Sequence, residues 1–464
     1  MEILSSALET VKKYDLIKNG ESIVIGLSGG ADSVTLFHFL LSIRKMYDIK
    51  LVAVHVHHGI RGDEAQRDMD FAQKLCEKYD VQIEKYYYNV PEKAKEISLT
   101  EEETGRMLRY EAFENTLEKY GADKIAVAHN MNDNAETVFM RLCRGTGIKG
   151  LGGIAVSRDK IIRPLLFTSR EEIEKYCADN GIEYITDSTN EKNIYTRNKI
   201  RNELLCWIKE NLNENIIATV SSCSQIIREE NDYLDKVAKK EFENVLAGEK
   251  EIMLDTQKLK KLDKVILRRV LRLACLSCSD TLHDVAMKHI EGLTELLYKE
   301  TGKYISLPND ITAEKRYGKL YLYNKKDICE DYSYNIKAGE EIYIKETGKY
   351  VSLSEKIIKN KENKKNIYTA VISCDKINKG SDKAITVRSK KSGDKIYLKG
   401  VGNKKLKDFF IDMKIPRNVR NSVPVIAVGD DIAAVMGYRI SDKYKAEKNS
   451  GENNFYIQIW EENE

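Results

Sequence analysis

Residues 22–27 (SIVIGL) form an almost unbroken apolar run, the mark of a strand buried on both faces. A glycine turn follows, and residues 33–44 then carry apolar positions at helical spacing. Further apolar runs at 50–56 (KLVAVHV), 81–88 and 124–128 predict three more strands. Amphipathic patterns at 63–79 and 100–120 predict the helices between them. Strands alternating with helices of this length predict βαβ units, hence a doubly wound α/β fold with a parallel sheet. Such sheets bind ligands beyond the carboxyl ends of their strands.

Past about residue 215 the pattern changes. Helical periodicity runs through 215–246, 263–278 and 283–299, and a hairpin is expected over 305–323. From about residue 326 short β-type runs alternate with Gly, Asn and Asp, and the Lys/Asn-rich stretch 359–366 reads as a loop. The division expected is therefore 1–215, an α/β domain; 216–325, a mainly helical domain; and 326–464, a small mixed α/β domain.

Composition supports this division. At 464 residues the chain has room for about three domains of ~150 residues each. It is 42% hydrophobic and 32% charged, which is globular. A net charge of +3 identifies no partner by itself. No apolar run approaches membrane-spanning length, and the N-terminal MEILSSALETVKKYD reads as an amphipathic helix, so neither a span nor a signal peptide of standard form is expected. Nine scattered cysteines, an odd number, fit a reduced, cytoplasmic protein.

The sharpest chemical feature is Ser28-Gly29-Gly30-Ala31-Asp32-Ser33, set between a predicted strand and a predicted helix. Two glycines let an anion approach the backbone, the helix start offers unpaired N–H groups, and Ser28 and Ser33 add hydroxyl donors. The loop lacks both the Gly-Lys-Ser/Thr ending of a Walker A loop and the spacing of a dinucleotide turn. It resembles the SGGxDS loop of the ATP pyrophosphatases, which cleave ATP between the α and β phosphates and leave AMP on an oxygen that is then displaced.

Further blocks narrow the resemblance: His55-Val56-His57-His58-Gly59-Ile60-Arg61; Arg106-Met107-Leu108-Arg109-Tyr110; Ala128-His129-Asn130-Met131-Asn132-Asp133-Asn134-Ala135-Glu136-Thr137, continuing through Arg144 to Leu151; Arg163-Pro164-Leu165-Leu166; Asp187-Ser188-Thr189-Asn190; and Tyr195 to Asn202. In this order they resemble the tRNA(Ile)-lysidine synthetases over residues 20–205. Near the C-terminus, 387–394, 404–410 and 414–417 resemble the same family, while 216–380 matches loosely. Family members often carry His-His-x-Asp-Asp where this chain has His129-Asn130-Met131-Asn132-Asp133, so a metal role there falls on Asp133. Cys206 stands where a proline often occurs.

The resemblance implies a defined reaction. ATP adenylates the C2 oxygen of the wobble cytidine of a tRNA(Ile) with a CAU anticodon, and free L-lysine displaces AMP to give lysidine. Ser28, Gly29, Gly30, Ala31, Asp32 and Ser33 would hold ATP. Asp32, inside a phosphate loop, would repel phosphates unless Mg²⁺ lay between them, and Asp133 at the same sheet edge is the second candidate ligand. Either could instead be a helix cap. Arg106 pairs with Arg109 on one helix face and Arg197 with Arg201 on another. Arg106 and Arg201 are the candidates for stabilising transition-state charge or for gripping the tRNA, against the plainer reading of solvated pairs.

The four histidines of these blocks lack the cysteines of a structural zinc set, so nucleotide or tRNA contact is the better reading. Cys275-Leu276-Ser277-Cys278 closes an apolar helix and reads as core. Residues 388–420 hold eleven Lys or Arg against three Asp, a local balance of +8. Arg388, Lys390, Lys391, Lys404, Lys405, Lys407 and Arg417 are the candidate tRNA contacts in this stretch. The rival readings are a tRNA thiolase with the same loop, which would need a reactive cysteine at a strand end, and a non-catalytic tRNA-binding protein. Whether the chain is a monomer or a homodimer is left open.

Overall fold

A computed structural model describes residues 4–59, 63–185, 196–248, 252–279, 281–357, 364–378, 384–446 and 454–462. It has two compact units, Met1–Asp235 and Lys236–Glu464.

The first unit opens with α1 (Ser5–Lys13), β1 (Ser22–Gly26), α2 (Ala31–Ile43), β2 (Lys50–His57), α3 (Asp63–Lys78) and β3 (Gln82–Tyr87). Next come α4 (Val90–Ile97), α5 (Glu101–Tyr120), β4 (Lys124–Ala126), α6 (Met131–Cys143) and α7 (Ile148–Leu151). Then follow β5 (Ser157–Arg158), β6 (Ile161–Ile162), α8 (Arg170–Asp179), α9 (Thr196–Lys199), α10 (Leu205–Asn211) and α11 (Ile216–Val245), whose last ten residues belong to the second unit. The strands form one sheet in the order β3-β2-β1-β4-β6-β5. β1 pairs in parallel with β2 on one side and β4 on the other, as the alternating pattern predicts. The chain thus runs outward from β1 in one direction, then returns and runs outward in the other. The crevice at that reversal is where ligands of such sheets bind.

Strand alternation explains why both faces are covered. Ile23 and Ile25 of β1 join a core with Val34, Phe37 and Leu40 of α2, whereas Val24 joins Phe113 and Leu117 of α5 on the opposite face. α2 is apolar nearly all round, with Leu36, Phe37, Phe39 and Leu40 fully buried, so it is an inner helix of the layer. A capping box starts α5: Thr100 accepts from the Glu103 N–H and Glu103 accepts from the Thr100 N–H. A Cβ on Gly26 would meet Phe113 Cζ at 2.6 Å, so only glycine lets α5 lie this close to the end of β1.

In the second unit, strands at Ile252–Asp255, Tyr304–Ser306, Ile311–Arg316 and Lys319–Asn324 make a four-stranded sheet. Helices Lys264–Cys278 and Met287–Leu296 belong to the same unit, and their buried residues share one core with that sheet. The hairpin expected at 305–323 is therefore part of a larger sheet, whose first strand the sequence pattern did not mark. Cys275 is fully buried in this core. The remaining strands form a seven-stranded and a four-stranded sheet, and helix Leu406–Asp412 packs beside the former. Buried apolar residues cluster separately before and after residue 325, within this one unit.

Candidate active site

The carboxyl ends of β1, β2 and β4 open into a cavity of about 470 Å³. Ser28, Asp32 and Ser33 line it from the β1 exit, and His55, His57 and His58 from β2. Arg106, Arg109 and Tyr110 come from α5, His129 and Asp133 from the β4 exit, and Arg197 from α9. Strand-end residues that lie far apart in sequence thus meet in one place. Ile60, Arg61, Asp187-Ser188-Thr189-Asn190 and Tyr195 lie outside the described residues.

The loop after β1 is held from within. Ser33 Oγ accepts from the Ser28 N–H at 3.1 Å, lies 3.0 Å from Ser28 Oγ and donates to the Gly30 carbonyl at 3.0 Å. Gly29 has φ +93°, a left-handed conformation that a side chain would strain. The loop leads into α2, whose first-turn N–H groups and dipole suit an anion.

Asp32 lies in that first turn, yet α2 has no side-chain cap. Instead Asp32 Oδ1 accepts from Asn130 Nδ2 at 2.9 Å and Oδ2 accepts from Arg170 Nη1 at 2.9 Å. Burial raises its pKa, and the nearby Asp133 adds to the rise, against the lowering by Arg170 and Asn130. Desolvation therefore outweighs the ion pair.

Asp133 caps and also pairs. Its Oδ2 accepts from the Asn130 N–H and Asn130 Oδ1 accepts from the Asp133 N–H, both at 3.0 Å, closing a capping box on α6. Its Oδ1 accepts from Arg197 Nη2 at 2.6 Å and, at 3.5 Å, from Arg201 Nη2. Glu136, one turn along α6 and fully buried, accepts from both arginines. Arg201 lies in a π-helical turn, Ile200–Leu204, between α9 and α10. It shares the carboxylates of Asp133 and Glu136 with Arg197, but only Arg197 is among the residues that line the cavity.

Arg106 stacks its guanidinium 5.3 Å from the Tyr110 ring. Arg109 Nη2 reaches His58 Nε2 at 3.4 Å. Neither arginine forms an ion pair among the described residues, so both present uncompensated charge to the cavity. Arg109 is open to the cavity yet surrounded by protein, and that burial, with Arg106 beside it, lowers its pKa. The histidines are fixed individually. His55 Nδ1 lies 2.8 Å from the Leu27 carbonyl, which can only accept, so that nitrogen carries the proton.

Sequence reasoning missed Asn130, Glu136 and Arg170 as site residues. Glu136 had a signal: it lies three residues after Asp133 on a helix and so shares its face. Arg170 follows Ser169, the cap of α8, and Asn132 Oδ1 accepts its backbone N–H at 3.1 Å. The amide that stands where the family often has a carboxylate thus anchors the helix that delivers Arg170.

In the second unit, one of the expected RNA contacts needs correcting. Arg388 is buried and donates through both terminal nitrogens to Asp394, at 2.9 Å each. Its charge is neutralised inside the fold, so it braces the turn at 389–394 rather than facing a partner. Lys390 is half-buried, Lys391, Lys405 and Lys407 are exposed, and Lys404 pairs with Asp412. Arg417 is exposed and stacks on Tyr304, 4.5 Å from the ring centre.

Residues 3–207 match the PP-loop domain family, and 385–457 match the TilS substrate C-terminal domain family. A tRNA(Ile)-lysidine synthase of Clostridioides difficile is 40% identical, over 97% of this chain and 98% of that one. One from Clostridium tetani is 36% identical, over 97% and 96%. The chain belongs to the tRNA(Ile)-lysidine synthase family. It is an ATP-binding ligase of a tRNA-modifying family, with the PP-loop domain on the parallel sheet described above. Among solved structures, a U34-tRNA thiolase of Methanococcus maripaludis is similar at 20% identity, over 48% of this chain and 79% of that one, with a TM-score of 0.41. No helix among the described residues is long and apolar enough to cross a membrane.

Mg²⁺ needs one or two carboxylates and completes its shell with phosphate oxygens and water. Asp133 shares the cavity with Asp32 closely enough to disfavour the Asp32 charge, a condition a cation relieves. Both oxygens of Asp32 and Oδ2 of Asp133 each accept one hydrogen bond and keep a second lone pair, while Asp133 Oδ1 accepts from Arg197 and, at 3.5 Å, from Arg201. The residues fit the ion.

Proposed function

We propose that this enzyme joins lysine to the wobble cytidine of a CAU-anticodon tRNA(Ile), at the expense of ATP cleaved to AMP and diphosphate. In the first step the cytidine O2 attacks the α-phosphorus and diphosphate leaves. In the second the neutral amine of lysine attacks C2, AMP departs with the O2 oxygen, and a proton is lost from nitrogen. The observation that carries this reading is the cavity itself. A phosphate loop, two carboxylates and two uncompensated arginines converge there at the switch point of a parallel sheet.

Ser28 to Ser33 bind the phosphates through backbone N–H groups and hydroxyls. Asp32 and Asp133 would hold Mg²⁺, which when bound neutralises phosphate charge. Arg106 meets the charge that develops on the phosphoryl oxygens. Arg201, with Glu136, acts through Arg197 by fixing where it stands.

Lys390, Lys391, Lys404, Lys405, Lys407 and Arg417 grip the tRNA backbone away from the anticodon. The three-domain division at 215 and 325, and a cytoplasmic location, belong to the same reading. A thiolase would need a cysteine at the reacting centre, and none of the nine lines the cavity. The test is AMP release. Wild-type enzyme should form AMP only with a tRNA carrying a wobble cytidine, and AMP release with a wobble-uridine tRNA would refute the assignment.

A further inference from the structure

Arg163 opens the Arg163-Pro164-Leu165-Leu166 block just after β6, and the reaction outlined above gives it no role. It is buried, 4% exposed, and lies outside the set of residues that line the cavity. Its Nη1 donates to the Ala155 carbonyl at 2.9 Å, and its Nε donates to His129 Nδ1 at 3.2 Å. A guanidinium has only donors and does not lose its proton in proteins, so His129 Nδ1 must accept. The neutral ring then carries its one hydrogen on Nε2.

The charges that act most strongly on His129 are all positive, although Asp32, Asp68 and Asp133 line the same cavity. Arg163 follows β6, Arg106 and Arg109 come from α5, and Arg197 comes from α9; together with burial they push the His129 pKa down to about 3. The ring is therefore neutral near neutral pH. A neutral imidazole with a fixed tautomer is a hydrogen-bond donor that cannot also give up a full charge. It lines the same cavity as the phosphate loop and Asp133.

We infer that Arg163 is a positioning residue which locks His129 as the Nε2–H tautomer, so that His129 donates one hydrogen bond to an acceptor oxygen of the bound nucleotide. The acceptor class is a phosphoryl oxygen of ATP or the O2 of the target base. This inference rests on the proposed reading of the cavity, but the tautomer itself is a property of the protein without substrate, so the two can fail separately.

Nitrogen-15 NMR of the imidazoles reads the tautomer directly, with the His129 signals identified by their loss in His129→Gln. The unliganded wild type should show His129 as Nε2–H with an unprotonated Nδ1, unchanged between pH 5.5 and 8.5. A protonated ring or an Nδ1–H tautomer would overturn the lock. Arg163→Met should release it, giving mixed tautomers and a pH-dependent signal; an unchanged His129 spectrum in that variant would equally overturn it. Should Arg163→Met fail to fold, substitutions at His129 carry the test. Glutamine places an amide N–H near the Nε2 position and asparagine near Nδ1. His129→Gln should keep tRNA-dependent AMP formation within about tenfold, and His129→Asn should lose about 10²-fold or more, the typical loss for one oxyanion donor. Equal losses in the two variants would contradict the donor role. A non-hydrolysable ATP analogue added alone should shift the Nε2 signal if the acceptor is a phosphoryl oxygen. A shift that also requires tRNA assigns the base oxygen instead, and no shift with either would overturn the contact.

Discussion

Asn130 Nδ2 lies 2.9 Å from Oδ1 of Asp32 and donates to it. The same residue caps α6 and binds Asp133 through its backbone N–H, so a single asparagine sets the relation between the two carboxylates proposed to share Mg²⁺. Asn130→Ala should cost about 1 kcal/mol of stability through the lost cap. It should also lower AMP formation well beyond that effect, with a raised Mg²⁺ requirement. A melting curve and a Mg²⁺ titration check both; an unchanged Mg²⁺ midpoint would show that Asn130 caps and does nothing more.

Asp32→Asn should abolish AMP formation and yet stabilise the fold near neutral pH. The folded chain raises the pKa of Asp32, chiefly through burial, so its carboxylate form is the disfavoured one. The stability it lends is complete below an ordinary carboxyl pKa of about 4 and is lost as the pH rises through the folded value. The Tm of Asp32→Asn should therefore exceed that of the wild type at pH 7 to 8, and the gap should close on acidification toward pH 4. A lower Tm at pH 8 would mean that the Arg170 ion pair dominates.

Glu136 is the buried anion between Arg197 and Arg201, its side chain 1% exposed against 27% and 38% for theirs. Removing one partner of a fully buried ion pair costs about 3–5 kcal/mol. These arginines keep access to water, so about 2–3 kcal/mol is expected for Glu136→Ala. Urea unfolding should show this as a lower midpoint with an unchanged slope.

The basic C-terminal stretch divides into two kinds of residue. Lys391→Ala, Lys405→Ala and Lys407→Ala should leave the Tm nearly unchanged. Each should weaken tRNA binding and reduce the slope of log affinity against log salt by about one unit. Arg388→Ala should do the reverse, lowering stability with little change in salt slope, because its charge is neutralised by Asp394. Equal salt slopes in all four variants would remove this stretch from the interface.

The parallel sheet was legible because both its faces are covered, which turns its strands into continuous apolar runs such as SIVIGL. The phosphate loop was legible because backbone access to an anion demands glycine at a strand end. β5 and β6 were not, since two-residue strands leave no period to read. The partners of the two carboxylates were hidden for a different reason. Arg170 stands 138 positions after Asp32, and Arg197 stands 64 after Asp133, so no local pattern links them. Charge counting also failed at Arg388, where it could not separate a buried arginine braced by Asp394 from the exposed Lys391 three residues away.

The central claim is lysine transfer to a wobble cytidine, and one measurement reaches it directly. Purified enzyme is mixed with ATP, Mg²⁺, labelled lysine and tRNA(Ile) carrying CAU, and label in the tRNA is followed beside AMP. The account expects label and AMP to appear together, one for one, and both to vanish when the wobble cytidine is replaced by uridine. AMP formation with no lysine in the tRNA, or lysine transfer to the uridine tRNA, would contradict it.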